Sequence, residues 1–159
     1  ERAGIPFDET VRELLPGADV KKIMKEKEER LLEGVKGLEA NEGLYELIGR
    51  IDDAGLKRAL ATSSHKPFIK RALEHLDLDF KVVCTVEDVE NPKPAPDIFL
   101  KAAESLGVDP EDCIVIEDGI AGMKAAKQAG MECIALVKDM DKDYPADKKV
   151  KSLKEIVDL

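Results

Sequence analysis

The sequence has no Cys-x-x-Cys pair, so a zinc site is not expected. Its three cysteines, Cys84, Cys113 and Cys133, are odd in number, and each lies in or beside an apolar run. They read as buried free thiols in a reducing compartment, not as a disulfide framework. No apolar run is long enough to span a bilayer, and no signal peptide is expected, so no membrane partner is expected and the location should be cytoplasmic. Positive charge is also short. Lys and Arg number 25 against 34 Asp and Glu, for a formal net charge of -9. That balance argues against nucleic acid as a partner. No Gly-x-Gly-x-x-Gly follows an apolar run, which speaks against a dinucleotide-binding domain. No internal repeat is present.

What the sequence does have is 43% hydrophobic residues in 159, enough for one domain, or for a domain with a small appendage. The most informative stretch is Cys113 to Gly122. An apolar run, Ile114-Val115-Ile116, stops at two carboxylates, Glu117 and Asp118, and Gly119 and Gly122 then lead into a helical pattern. A short β-branched run bounded by turn residues is expected to be a buried parallel strand. Acids at the C-terminal end of such a strand lie where open α/β sheets bind ligands, and a side-by-side pair suits a hard cation such as Mg²⁺. A plain helix cap at Asp118 explains that residue equally well.

The leader, residues 1–36, shows helical spacing only. A first helix is expected to start around Ile5-Pro6-Phe7, with Asp8 as its cap and Val11, Leu14 and Leu15 along it. Pro16-Gly17 breaks it. A second helix carries Val20, Ile23, Met24, Leu31 and Leu32, with a solvated run of i,i+4 charge pairs between Lys22 and Arg30. A linker around Gly37 introduces the remainder, residues 37–159. After a helix at 42–54, strands near 57–61, 80–85, 114–116 and 133–137 alternate with helices, one of them capped by Asp97. Ser152-Leu153-Lys154-Glu155 looks like a capping box. The fold class is therefore α/β, a parallel Rossmann-like sheet with helices on both faces, plus a small helical lobe.

Three strand ends carry polar residues. Thr62-Ser63-Ser64 offers hydroxyls and backbone N–H groups ahead of a helix, an anion cradle or an ordinary N-cap cluster. Lys93 stands among Pro92, Pro94 and Pro96, which stiffen its loop. Glu117-Asp118 completes the set. Hydroxyl, ammonium and paired carboxylates are the parts that phosphoryl transfer needs.

Ala-Leu-Ala-Thr-Ser-Ser at 59–64, Lys-Pro-Ala-Pro-Asp-Ile-Phe at 93–99 and Val-Ile-Glu-Asp-Gly-Ile-Ala-Gly-Met-Lys-Ala-Ala at 115–126 resemble the haloacid dehalogenase-like hydrolases, and within them the β-phosphoglucomutase-like phosphatase branch. The resemblance implies a Mg²⁺-dependent phosphatase of small phosphorylated metabolites that works through an aspartyl-phosphate. It makes residues 1–36 part of an α-helical cap. It implies catalytic roles for Thr62, whose hydroxyl would bond the phosphoryl group, and for Lys93, which would offset its charge. Ser63, through its N–H, and Ser64, His65 and Lys66 would touch substrate. Asp118 would bind the metal, with Glu117 as a second ligand or outer-shell acid.

One part of the pattern is missing. The family's first motif, Asp-x-Asp after an apolar strand, has no counterpart: Asp77-Leu78-Asp79 closes a helix, and Asp139-Met140-Asp141 lies in a late loop. Residues 37–159 therefore resemble a core lacking its first, central strand, and the chain as given is expected to be inactive. Either the strands at 57–61 and 113–116 pair directly, or another chain fills the gap, as in a homodimer through strand swapping, or the chain is part of a longer one. An inert phosphate-binding module and a sugar-phosphate mutase fragment are the alternatives. Val20, where such mutases carry an arginine, disfavours the mutase. A receiver domain would place its acids early and its lysine late, the reverse of the order here.

Overall fold

A computed structural model describes residues 7–157, apart from the side chains of 7–10, 28, 31 and 32. The contacts divide the chain into two compact units: one runs through Leu38 and takes in Pro67–Leu78, and the other comprises Glu39–Lys66 and Asp79–Leu159.

The first unit is helical. Helix α1 (Phe7–Leu14) and helix α2 (Val20–Gly34) are joined through Pro16 and Gly17, whose φ of 90° suits a residue without Cβ. The expected start at Ile5 and Pro6 and the spacing of the Leu31 and Leu32 side chains lie outside the described residues, and Asp8 falls within α1. Asp19 caps α2 by accepting the Lys22 N–H at 3.1 Å. Lys22–Glu26 and Lys25–Glu29 pair at 4.0 and 3.8 Å on an exposed face. Val11 and Val35 are buried, as are Ile69 and Ala72 of helix α4 (Lys66–His75). Asp77, at φ 51°, turns the chain out of that helix.

The second unit carries the strands. Its elements after helix α3 (Leu44–Asp53) are β1 (Ala59–Ala61), β2 (Val82–Cys84), helix α5 (Asp97–Leu106), β3 (Ile114–Glu117), helix α6 (Ile120–Gln128), β4 (Glu132–Leu136), β5 (Lys148–Val150) and helix α7 (Lys154–Val157). All pairings are parallel. Alternation along β4 shows why helices lie on both faces. Cys133 and Ala135 join the cluster built on Ile98, Phe99, Met123 and Ala126 of α5 and α6, while Leu136 packs against Leu47, Leu153 and Val157 of α3 and α7.

Two local expectations are corrected, and β5 is a strand that the sequence pattern does not announce, because Lys148-Lys149-Val150 presents only one large apolar side chain. Asp97 is the first helical residue rather than the cap, and its carboxylate accepts the Asn91 amide at 2.9 Å. The box at Ser152 is offset: Ser152 Oγ accepts from Lys154 N–H at 3.2 Å, and Glu155 accepts from Lys151 N–H at 3.1 Å.

Direct pairing of the first and third strands, one of the three alternatives for the gap, does not occur among the described residues. Among the described residues, β1–β2 and β3–β4–β5 are separate sheets. The hydrogen bonds fix which backbone groups this leaves open. Thr62 N–H bonds Cys84 C=O, and Glu132 N–H bonds Cys113 C=O. By the alternation of a strand, Ala59 and Ala61 turn their peptide groups away from β2, and Ile114 and Ile116 turn theirs away from β4. The Ile114 and Ile116 side chains are 61% and 37% exposed, far from what a central strand shows.

Candidate functional site

Lys93 joins the two sheet edges. Its ammonium donates to Ala61 C=O at 3.3 Å, the last residue of β1, and to the carboxylate of Glu117, the last residue of β3. It also lies 4.6 Å from the centroid of the buried Phe99 ring. The lysine and glutamate side chains are 9% and 12% exposed, so this ion pair is largely withdrawn from water. Pro92, Pro94 and Pro96 frame the loop, and the Lys93–Pro94 peptide bond is cis.

The ammonium thus sits one residue short of both Thr62 and Asp118. Thr62 Oγ1 accepts the Ser64 N–H at 3.1 Å, which orients the hydroxyl and leaves its own proton to donate elsewhere. Ser63 is exposed beside it. Asp118 does not cap α6: the N-cap is Gly119, with no side-chain bond. The Asp118 carboxylate is exposed and engages no other described residue. Glu117 is the opposite case. One carboxylate oxygen meets Lys93, and the other accepts the N–H groups of Asp118 and Gly119 at 3.1 and 3.0 Å.

The remaining expected contacts are turned toward acids. His65 Nδ1 lies 2.8 Å from Glu87, and Lys66 donates to Asp88 at 2.6 Å, linking the segments that follow β1 and β2. Asp88 is also bonded by the N–H and hydroxyl of buried Thr85, at 2.9 and 2.7 Å. The Lys66 bond, then these two, pull the Asp88 carboxyl down to about 2.

Sequence reasoning missed Phe99 and the Ala61 carbonyl. It also missed the closeness of Gly122: a Cβ there would lie 2.0 Å from the Glu117 carboxylate oxygen. The signal available for Gly122 was its place five residues after Glu117, at a strand-to-helix turn. An open depression of about 520 Å³, lined by Asp88, Glu90, Asp97, Lys101 and Glu104 among others, contains none of Thr62, Lys93 and Asp118, and its acidic rim would repel an anion. No cluster of three or more His, Cys, Asp or Glu among the described residues can hold a metal ion. Asp118 is therefore one free ligand and not by itself a magnesium site.

A family profile described as Haloacid dehalogenase-like hydrolase matches residues 1–136. A phosphorylated carbohydrates phosphatase of Thermotoga maritima is 35% identical over 137 residues, 84% of this chain and 62% of that protein. A beta-phosphoglucomutase of Bacillus subtilis is 40% identical over 95 residues, 59% of this chain and 42% of that protein. Among solved structures, CbbY from Rhodobacter sphaeroides in complex with phosphate superposes with a TM-score of 0.79 at 27% identity, covering 90% of this chain and 70% of that one. The chain spans less than two thirds of the length of these two curated relatives.

Proposed function

The chain belongs to the haloacid dehalogenase-like hydrolase family, and we propose that it forms the phosphate-holding part of a magnesium-dependent phosphatase. The observation that carries this is the placement of the Lys93 ammonium between the ends of β1 and β3, beside Thr62 and Asp118. In this reading the Thr62 hydroxyl and the Ser63 N–H donate to phosphoryl oxygens, and Lys93 offsets their charge. Magnesium, when bound, adds positive charge at the same oxygens, and Asp118 is the carboxylate this chain offers it; the other ligands must come from outside the described residues. Ser64, His65 and Lys66 border the substrate. Its class is a small phosphorylated metabolite, in keeping with the relative named for phosphorylated carbohydrates.

The reaction runs through an aspartyl-phosphate, whose aspartate belongs on a strand between β1 and β3. No described strand occupies that place, and in this reading the described residues hold phosphate without supplying the nucleophile. A homodimer that exchanges strands in the cytoplasm would be one way to fill it. Light scattering tests the dimer: a monomer at all concentrations removes it.

Two assays test the function. Isothermal titration with orthophosphate, with and without Mg²⁺, should show binding that D118N makes insensitive to the metal. Incubation with a phosphomonoester and Mg²⁺ should show no turnover. Absence of phosphate binding overturns the proposal, and turnover at the rate of an intact enzyme overturns the predicted inactivity.

A further inference from the structure

The two basic side chains that follow Thr62-Ser63-Ser64 are already matched by acids. His65 Nδ1 lies 2.8 Å from Glu87, and Lys66 donates to Asp88 at 2.6 Å. The His65 and Lys66 side chains are each 55% exposed, so either can swing toward an arriving anion. Asp88 cannot move with them. Buried Thr85 fixes it through its N–H and hydroxyl, at 2.9 and 2.7 Å, and Thr85 follows Cys84, whose carbonyl accepts the Thr62 N–H. This carboxylate therefore has a set place beside the end of β1. The Lys66 bond, then the two from Thr85, hold its carboxyl down to about 2, so it is charged throughout the neutral range. Negative charge continues past it. Asp88 also lines the open depression of about 520 Å³, where Glu90, Asp97 and Glu104 face one cation, Lys101.

We propose that Glu87 and Asp88 select the substrate by charge: they occupy His65 and Lys66 at the rim of the cradle, so the site takes a phosphomonoester whose remainder is uncharged and disfavours a bisphosphate. This deepens the proposed function and rests on it. A second phosphate needs a cation that is not already balanced. Here, whatever Lys66 gains by swinging onto that phosphate is offset by repulsion from the carboxylate it leaves behind. An uncharged polyol meets no such opposition, and its hydroxyls can donate to the same carboxylates. Because the pairs stand in water, the discrimination is several-fold and screened by salt.

Isothermal titration of the 159-residue chain in Mg²⁺ compares fructose 6-phosphate with fructose 1,6-bisphosphate, which differ only in the second phosphate. The wild-type chain should bind the bisphosphate no more tightly than the monophosphate. E87Q and D88N should each raise bisphosphate affinity by about threefold with fructose 6-phosphate affinity unchanged, and about 0.5 M NaCl should erase the gain. Adding K66M to D88N should remove that gain, which a mere change of shape would not do. D88N also loses bonds to Thr85, so thermal melting accompanies it; E87Q touches none of them and carries the test if D88N is unfolded. A wild-type chain that binds the bisphosphate about tenfold more tightly than the monophosphate, or an E87Q chain with the wild-type ratio of affinities, overturns the inference and leaves the proposed function standing. So does binding of orthophosphate without binding of fructose 6-phosphate. A wild-type chain with affinity for neither overturns both.

Discussion

Lys93, in the loop between β2 and α5, and Glu117, the last residue of β3, lie 24 residues apart in sequence, yet they form an ion pair with side chains only 9% and 12% exposed. Such a pair owes its effect less to attraction than to the harm done when one member is removed, since the other is left desolvated and alone. K93M is therefore expected to destabilise the second unit by about 3 kcal/mol, and K93M with E117Q by clearly less. Urea denaturation of the four proteins of the cycle checks this.

Gly43 caps α3 with φ 85°, and a Cβ there would meet the Lys154 backbone nitrogen at 2.7 Å and Leu153 carbonyl carbon at 3.1 Å. Both the conformation and the contact forbid a side chain. G43A should lower stability by about 2 kcal/mol or more. The loss should be accompanied by fraying of α7, visible as faster amide exchange at Ile156 and Val157.

The Asp88 carboxyl is held down to about 2 by Lys66 first and Thr85 second. A depressed acid stabilises the fold above its ordinary pKa, near 4, and that contribution disappears as pH falls through about 2. The stability difference between wild type and D88N should therefore be constant above about pH 5 and vanish towards pH 2. K66M should narrow the window from below.

Cys84 and Cys133 are buried, and burial, ahead of the charges of Glu117 and Asp147, pushes the Cys133 thiol up to about 11. Cys113 is partly exposed. A maleimide reagent at neutral pH should label Cys113 first, with Cys84 and Cys133 reacting only on unfolding. Mass spectrometry of timed digests reads the order.

The parallel α/β class and three strand-end clusters were legible because each rests on a local signal: β-branched runs for the strands, glycine and proline stops, and polar residues at one end. Lys93 was legible because three prolines frame it. Long-range partners were not. Nothing near His65 or Lys66 announces Glu87 and Asp88, which arrive through the pairing of β1 with β2. The two roles of Glu117 and Asp118 were equally hidden, since adjacent acids look alike until the fold supplies a lysine and a glycine to one of them. β5 was missed because a strand held at an edge beside a covered neighbour needs only one apolar residue, Val150, facing inward.

The peptide groups that Ala59, Ala61, Ile114 and Ile116 turn away from their paired strands impose a parity rule on whatever lies between the two sheets. An insert can satisfy both borders only in one phase, because a slip of a single residue would send each of its side chains to the opposite helix layer. The borders thereby act as a comb: they fix which alternate residues of the insert face each helix layer, and so confine a reacting group level with the Lys93 ammonium to every second position of that insert.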